Sequence, residues 1–296
     1  MNHIKDQIHC ERAYRMGLSG KGIGVAVLDT GIFLHRDFDS RVTGFADMVN
    51  RRNFAYDDCG HGTHICGIIG GSGRMSGGRY SGIAPGCNLI MVKVLDRKGN
   101  GYSSDVLAGI SWVLERKEQL GIRILNISVG ACSKRGMSEN SALVKGVNRA
   151  WDAGLVVVVA AGNNGPRTMS ITTPGISRKV ITVGCSDDDR EVLVGGNRMV
   201  DYSGRGPTAA CICKPDLVAP GCSVVSCSSR ADKYTIKSGT SMSTPIVSGA
   251  VALLLERFPD MSNKDVKLRL RESSVDIGLP RNQQGWGLLD LSLIHI

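Results

Sequence analysis

The sequence predicts an α/β fold with a central, mostly parallel sheet covered by helices on both faces. Two observations carry this. Apolar, β-branched runs at 22–28, 88–95, 123–129, 155–161 and 180–184 have strand length but lack the alternation of a sheet that is wet on one face. Between most of them lie segments with apolar residues at helical spacing, and strand alternating with helix is the pattern of parallel sheets. With 296 residues, 42% of them hydrophobic, the chain can bury a large core, and no repeat or linker divides it, so one domain over 1–296 is expected.

The first run ends in Asp29, which places a carboxylate at the C-terminal edge of a buried strand, where α/β sites form. Its Gly-x-Gly precedes the strand, which excludes a dinucleotide fingerprint. A polar stretch leads to Gly60-His61-Gly62-Thr63-His64, opening a helical segment at 65–69. His61 and His64 are three residues apart with no glutamate between them, so they do not form the H-E-x-x-H zinc pattern. The flanking glycines suggest a backbone packed close to something at His61. Residues 70–82 read as a Gly/Ser-rich loop. After the second strand come the Gly99-Asn100-Gly101 turn and a helix capped by Ser103 or Ser104, with Val106, Ile110, Val113 and Leu114 on its apolar face.

A strand at 123–129, a helix at 141–153 and a strand at 155–161 follow, the last feeding Gly162-Asn163-Asn164-Gly165. After a strand at 180–184, residues 187–197 read as loop, 202–207 as a glycine-rich turn and 217–221 as a short apolar approach to a turn. Ser238 to Pro245 sets Ser241 at the mouth of a helix that runs apolar through Val247, Ala250, Val251, Leu254 and Leu255, with Pro245 expected in its first turn. Ser262 and Asp265 form a capping box for a helix at 263–272.

The net charge of +9 and pI near 9.1 arise from dispersed Lys and Arg, and aromatic residues are only 5%, so a solvated basic surface is expected and no nucleic-acid partner. The longest apolar run, 154–161, is too short to cross a membrane. Residues 1–21 form an N-terminal extension without the basic start and apolar core of a secretory signal, so a cytoplasmic location is expected, with a secreted one as the alternative. Ten cysteines scattered over a large domain read as free thiols rather than a disulfide scaffold. Cys211, Cys213, Cys222 and Cys227 lack zinc-site spacing and a nearby histidine.

Asp29, His61 and Ser241 occur in the chain order Asp, His, Ser. Val-Leu-Asp-Thr-Gly-Ile, Gly-His-Gly-Thr-His and Gly-Thr-Ser-Met-Ser-Thr-Pro, with Ala-Ala-Gly-Asn-Asn-Gly, resemble the motifs of the subtilisin-like serine peptidase family, nearest its bacterial intracellular branch. The resemblance runs from about 22 to 290 and implies a three-layer α/β/α fold and hydrolysis of peptide bonds through an acyl-enzyme. In it Asp29, His61 and Ser241 are the triad and Asn163 supplies an oxyanion donor. Gly99, Asn100 and Gly101 on one side and Ser128, Val129 and Gly130 on the other are implied to be strands pairing with an extended polypeptide. Ala160, Ala161 and Gly162 would wall the primary pocket with Thr172 near its base, and Ser103, Val106 and Val129 would line the P4 pocket. Uncharged walls lead to an expected preference for a large apolar P1 residue. Thr173-Pro174 resembles a cis-proline turn.

The resemblance makes Asp37 a candidate calcium ligand, but Gly70-Gly71-Ser72-Gly73-Arg74-Met75 stands where relatives carry an asparagine-bearing loop. No cofactor is expected for catalysis, and structural calcium is expected to be weak or absent. A catalytically silent peptide-binding protein is the competing class, and an esterase lacks its Gly-x-Ser-x-Gly around Ser241. Residues 291–296 read as a truncated or altered tail, and no oligomeric state follows from the sequence.

Overall fold

A computed structural model describes residues 1–130 and 139–292; residues 293–296 of the expected tail lie outside them. Two short helices, α1 (Asn2–Gln7) and α2 (Glu11–Arg15), occupy the N-terminal extension. They bury Ile4, Ile8 and Ala13 against the core, and Leu291 N–H donates to the Ile8 carbonyl at 2.9 Å.

In chain order there follow β1 (Gly24–Asp29), β2 (Val42–Asp47), α3 (His61–Gly70), β3 (Asn88–Lys93), α4 (Ser103–Arg116), β4 (Ile122–Ile127), α5 (Ala142–Asp152), β5 (Val156–Ala160) and β6 (Ile181–Cys185). Then come β7 (Val192–Val194), β8 (Asn197–Met199), β9 (Leu217–Ala219), β10 (Val224–Cys227), β11 (Tyr234–Lys237), α6 (Thr240–Arg257), α7 (Asn263–Ser273) and α8 (Arg281–Gln284). Seven strands form one sheet in the order β2-β3-β1-β4-β5-β6-β9. Every pairing in it is parallel. β1, β5 and β6 are buried along their whole length, which explains their unbroken apolar sequences: helices cover both faces.

α3 and α6 pack on each other and on the sheet, and α4 packs on α5. α6 has no polar face because it is buried from Met242 to Leu255. β1 lies between β3 and β4, so the strand order reverses there. Its carboxyl end therefore opens onto a crevice that no crossover fills, and Asp29 sits at that end. No helix of the described residues is long and apolar enough to cross a membrane.

Several expectations are corrected. The polar stretch before His61 contains β2, a half-buried edge strand without a clear period-two signal. Residues 187–197 are not all loop, since β7 and β8 pair as a hairpin. A second antiparallel hairpin, β10–β11, lies between the 217–221 turn and Ser241. Tyr102, not Ser103 or Ser104, is the N-cap of α4. Pro245 is the sixth residue of α6, counting Thr240 as the first, so it lies in the second turn and leaves the Ser241 carbonyl without its i+4 donor. The capping box of α7 forms as read, with Ser262 Oγ accepting from Asp265 N–H and the Asp265 carboxylate accepting from Ser262 N–H.

Candidate active site

Asp29 ends the central strand and is fully buried. Its Oδ1 accepts the backbone N–H of Thr30 at 2.8 Å and faces His61 Nδ1 at 2.8 Å, which makes Nδ1 the protonated nitrogen. Asp29 Oδ2 has no partner among the described residues, so the imidazole is the main group answering this buried charge.

His61 is the first residue of α3, and the glycines beside it have distinct tasks. Gly60 is the N-cap with φ of 88°, a left-handed conformation that favours glycine. A Cβ at Gly62 would stand 2.2 Å from the Gly31 carbonyl, so α3 approaches the end of β1 more closely than a side chain allows. Asp57, which the sequence reading passed over, organises this helix start. It accepts from Gly60 N–H (2.7 Å), Thr63 N–H (2.9 Å) and Thr30 Oγ1 (2.9 Å), placing negative charge at the N-terminal end of the helix dipole. His64 turns away from His61: its Nε2–H is shared between the carbonyls of Val224 (3.1 Å) and Thr235 (3.2 Å), pinning α3 to the β10–β11 hairpin. Burial, then the charges of Lys237 and His61, push its pKa down to about 3, so it remains a neutral structural donor.

Ser241 is the second residue of α6, and its hydroxyl donates to the Ser128 carbonyl at 2.7 Å. His61, Ser128, Asn163 and Ser241 line one cleft. Ser128 is braced by Asn126, whose Nδ2 donates to Ser128 Oγ (2.9 Å) while its Oδ1 accepts from Ser248 Oγ of α6 (2.8 Å). Asn163 is held by its oxygen: Oδ1 accepts from Thr240 N–H and Thr240 Oγ1, both at 3.0 Å. This leaves Nδ2 as the donor end, beside the Gly239 cap. The Asn-Asn-Gly segment thus acts as more than a turn, because its asparagine is clamped to the start of the helix carrying Ser241.

The predicted substrate segments also border the cleft, but not as strands. β4 ends at Ile127, before Ser128, Val129 and Gly130. Gly99, Asn100 and Gly101 form a turn closed by Gly99 N–H to the Asp96 carbonyl (3.0 Å) and Asp96 N–H to the Asn100 carbonyl (2.7 Å). Ala160, Gly162 and Thr172 line the same cleft as His61 and Ser241, while Ala161 is fully buried. An adjoining apolar hollow contains Ser103, Val106 and Val129 with Leu95, Ile127, Leu143 and Pro174. The Thr173–Pro174 bond is cis. Cys59, Lys98 and Lys237 also line the cleft; no motif marked them, because they come from loops and the end of β11.

A family model described as the subtilase family matches residues 20–287. The chain belongs to the subtilase family. It is 42% identical over 285 residues to serine protease AprX of Bacillus subtilis (strain 168), covering 90% of this chain and 64% of AprX. It thus spans somewhat less than two thirds of that relative's length. Subtilisin DY of Bacillus licheniformis is 33% identical over 273 residues, covering 92% of this chain and 90% of that protein. The solved structure of Sphericase superposes with a TM-score of 0.78 at 31% identity, covering 93% of each chain. The three-layer α/β/α fold with its parallel sheet is therefore that of the subtilases.

Calcium is the metal the family resemblance raises, and the residues around Asp37 do not fit it. Asp37 Oδ1 accepts from Met75 N–H (2.9 Å), and Oδ2 accepts from the Tyr234 hydroxyl (2.7 Å), with the Cys227 thiol at 3.7 Å. One carboxylate with both oxygens occupied, beside an imidazole and a thiol, is not the cage of six to eight oxygens that calcium takes.

Burial disfavours the charged form of His61, but the attraction and hydrogen bond of Asp29 outweigh it and raise the pKa above its ordinary value of 6.5. A base must be neutral to accept a proton, so the rising limb of kcat/KM against pH is expected above 6.5. In Asp29→Asn the attraction is gone, and the limb moves to lower pH while the rate falls. A limb in Asp29→Asn unmoved from that of the unmodified chain would contradict the pairing.

Proposed function

We propose that this subtilase is a serine endopeptidase that hydrolyses peptide bonds of extended polypeptides through an acyl-enzyme. One observation carries the reading: a buried Asp29–His61 pair, the Ser241 hydroxyl and a clamped Asn163 amide converge on one cleft. The Ser241 hydroxyl leaves the Ser128 carbonyl and turns to His61 across the cleft the two residues share. His61 then accepts its proton as Oγ attacks the substrate carbonyl. Asp29 holds the tautomer and stabilises the imidazolium. Negative charge developing on the carbonyl oxygen meets Asn163 Nδ2 and the backbone N–H of Ser241, near the positive end of α6. His61 returns the proton to the leaving amine, and water repeats the sequence to release the acid.

We infer that Thr172 limits the depth of the primary pocket. A Cβ on Gly130 would fall 2.2 Å from Thr172 Oγ1, and one on Gly162 would fall 2.4 Å from Thr172 Cγ2. The Thr172 side chain thus stands between the two walls, tied to the Ala161 carbonyl by its Oγ1 at 3.2 Å. Apolar P1 side chains of moderate size, such as leucine and methionine, are therefore favoured over phenylalanine, a refinement of the large P1 expected from sequence. We also infer that Asp37 holds no calcium, since its oxygens are already occupied.

A fluorophosphonate probe should label the unmodified chain and not Ser241→Ala. Because the three residues act as a unit, His61→Ala should cost nearly as much as Ser241→Ala, and the double variant little more. Additive losses in single-turnover assays would refute the shared mechanism. For specificity, Thr172→Gly should raise kcat/KM for a P1 phenylalanine peptide relative to leucine by about tenfold, the low end of what one methylene group is worth in a pocket; an unchanged ratio sinks the assignment. Added calcium should leave the Tm of Ser241→Ala unchanged, whereas a structural calcium site raises it by mass action.

A further inference from the structure

Behind the cleft the fold assembles a group of reactive side chains that catalysis does not use. Cys185 is the buried last residue of β6, Asp187 follows two residues on, and Cys222 lies half-buried in the turn after β9. The two sulfurs and a carboxylate oxygen all lie within 4.8 Å of one another. The Cys185 thiol donates to Asp187 Oδ1 at 3.1 Å. The Tyr202 hydroxyl, fully buried, lies 3.2 Å from Cys185 Sγ and 3.1 Å from Cys222 Sγ. Backbone N–H groups of Gly221 (2.7 Å) and Cys222 (3.1 Å) donate to Asp187 Oδ1 and fix the carboxylate. None of these side chains lines the catalytic cleft.

The chemistry of this set is that of a soft metal. Zinc takes thiolate at about 2.3 Å and carboxylate at about 2.0–2.2 Å, so the edges of a tetrahedral site run roughly 3.5–3.8 Å. The Cys185 Sγ–Asp187 Oδ1 distance of 3.1 Å is a few tenths short of such an edge, and no pair exceeds 4.8 Å, so small side-chain rotations suffice to close the site. Two sulfurs exclude calcium and magnesium and select zinc, cadmium or cobalt. The partly exposed Cys222 and Asp187 leave a way in. His35, Asp37 and Cys227 form another cluster, but it is sealed, and its imidazole Nδ1 already accepts the Asp37 N–H at 3.1 Å.

We propose that Cys185, Cys222 and Asp187 form a binding site for one thiophilic divalent cation, with the Tyr202 hydroxyl donating its hydrogen bond to one of the two thiolates. Binding forms two metal–thiolate bonds and one metal–carboxylate bond and releases the two thiol protons to solvent, with no change of oxidation state. The site adjoins the start of α6: the Gly221 carbonyl accepts the Gly239 N–H at 3.0 Å, and a Cβ at Gly221 would meet Cys185 Sγ at 2.8 Å. Gly239 is the cap of the helix that carries Ser241.

Cobalt titration of the reduced Ser241→Ala chain tests this. A thiolate-to-cobalt charge-transfer absorption is expected, saturating at one equivalent. It should vanish in Cys222→Ala and in Cys185→Ala, weaken at least about tenfold in affinity in Asp187→Asn, and persist in Cys59→Ala, Cys211→Ala, Cys213→Ala and Cys227→Ala. Circular dichroism checks that each variant is folded; should Cys185→Ala not fold, Cys222→Ala, altered in a surface turn, carries the test. No thiolate absorption in the reduced chain, its survival in Cys222→Ala or its loss in Cys227→Ala would overturn the assignment.

Discussion

A carboxylate held out of water at the end of the central strand sets the terms for everything around it. Asp29 is fully buried and accepts from one backbone N–H and one imidazole. An ionised group removed from solvent is tolerated only with a partner, so His61 must be brought to it and kept there. The close approach of α3 through Gly62, the Asp57 carboxylate at the helix start and the anchoring of His64 to the β10–β11 hairpin all serve that placement. The interaction that makes the imidazole a base thus also organises one side of the crevice.

The same constraint recurs at two buried lysines. Lys93, paired in register with Asp29, donates its three protons to the carbonyls of Thr30 (2.6 Å) and Leu95 (2.8 Å) and to Asp58 (2.7 Å). Lys214 likewise reaches Asp216, the Val180 carbonyl and Thr182 Oγ1. Burial lowers its pKa to about 8, against the attraction of Asp216. An ammonium has three donors, and each group here satisfies all three. Removing one partner of a pair buried on both sides, as Lys214–Asp216 is, costs about 3–5 kcal/mol. These lysines therefore act as fixed braces: Lys93 joins β3 to the loop before His61, and Lys214 joins the β6 and β9 region.

The other wall of the crevice depends on α6. Its unbroken burial fixes where its N-terminus emerges, and Asn163, Thr240 and Gly239 meet there. Thr240 serves two neighbours at once, its Oγ1 donating to Asn163 Oδ1 and accepting from Gly162 N–H. The proposed oxyanion donor, the glycine wall of the proposed primary pocket and the proposed nucleophile are thereby locked to one helix end. Such preorganisation lets dipoles stabilise developing charge without rearranging.

Much of this was legible in the sequence because it is local. The β-branched run ending in Asp29, the glycines around His61 and the Gly-Thr-Ser opening of a buried helix each impose their own backbone geometry, and their order along the chain resembles one family's. The helical extension at 2–15, strand β2 and the two hairpins were not legible, since short or edge elements owe their conformation to neighbours more than to periodicity. Side-chain encounters were hidden more deeply still. Thr172 reaches both Gly130 and Gly162 only because neither carries a side chain, and Cys222 meets Cys185 and Tyr202, 37 and 20 residues away. By itself the sequence determined which chemical groups stand at which strand and helix ends, through local backbone preference and burial pattern. Only the tertiary structure decided which of those groups touch, because contacts across a parallel sheet join segments whose separation along the chain leaves no periodic trace.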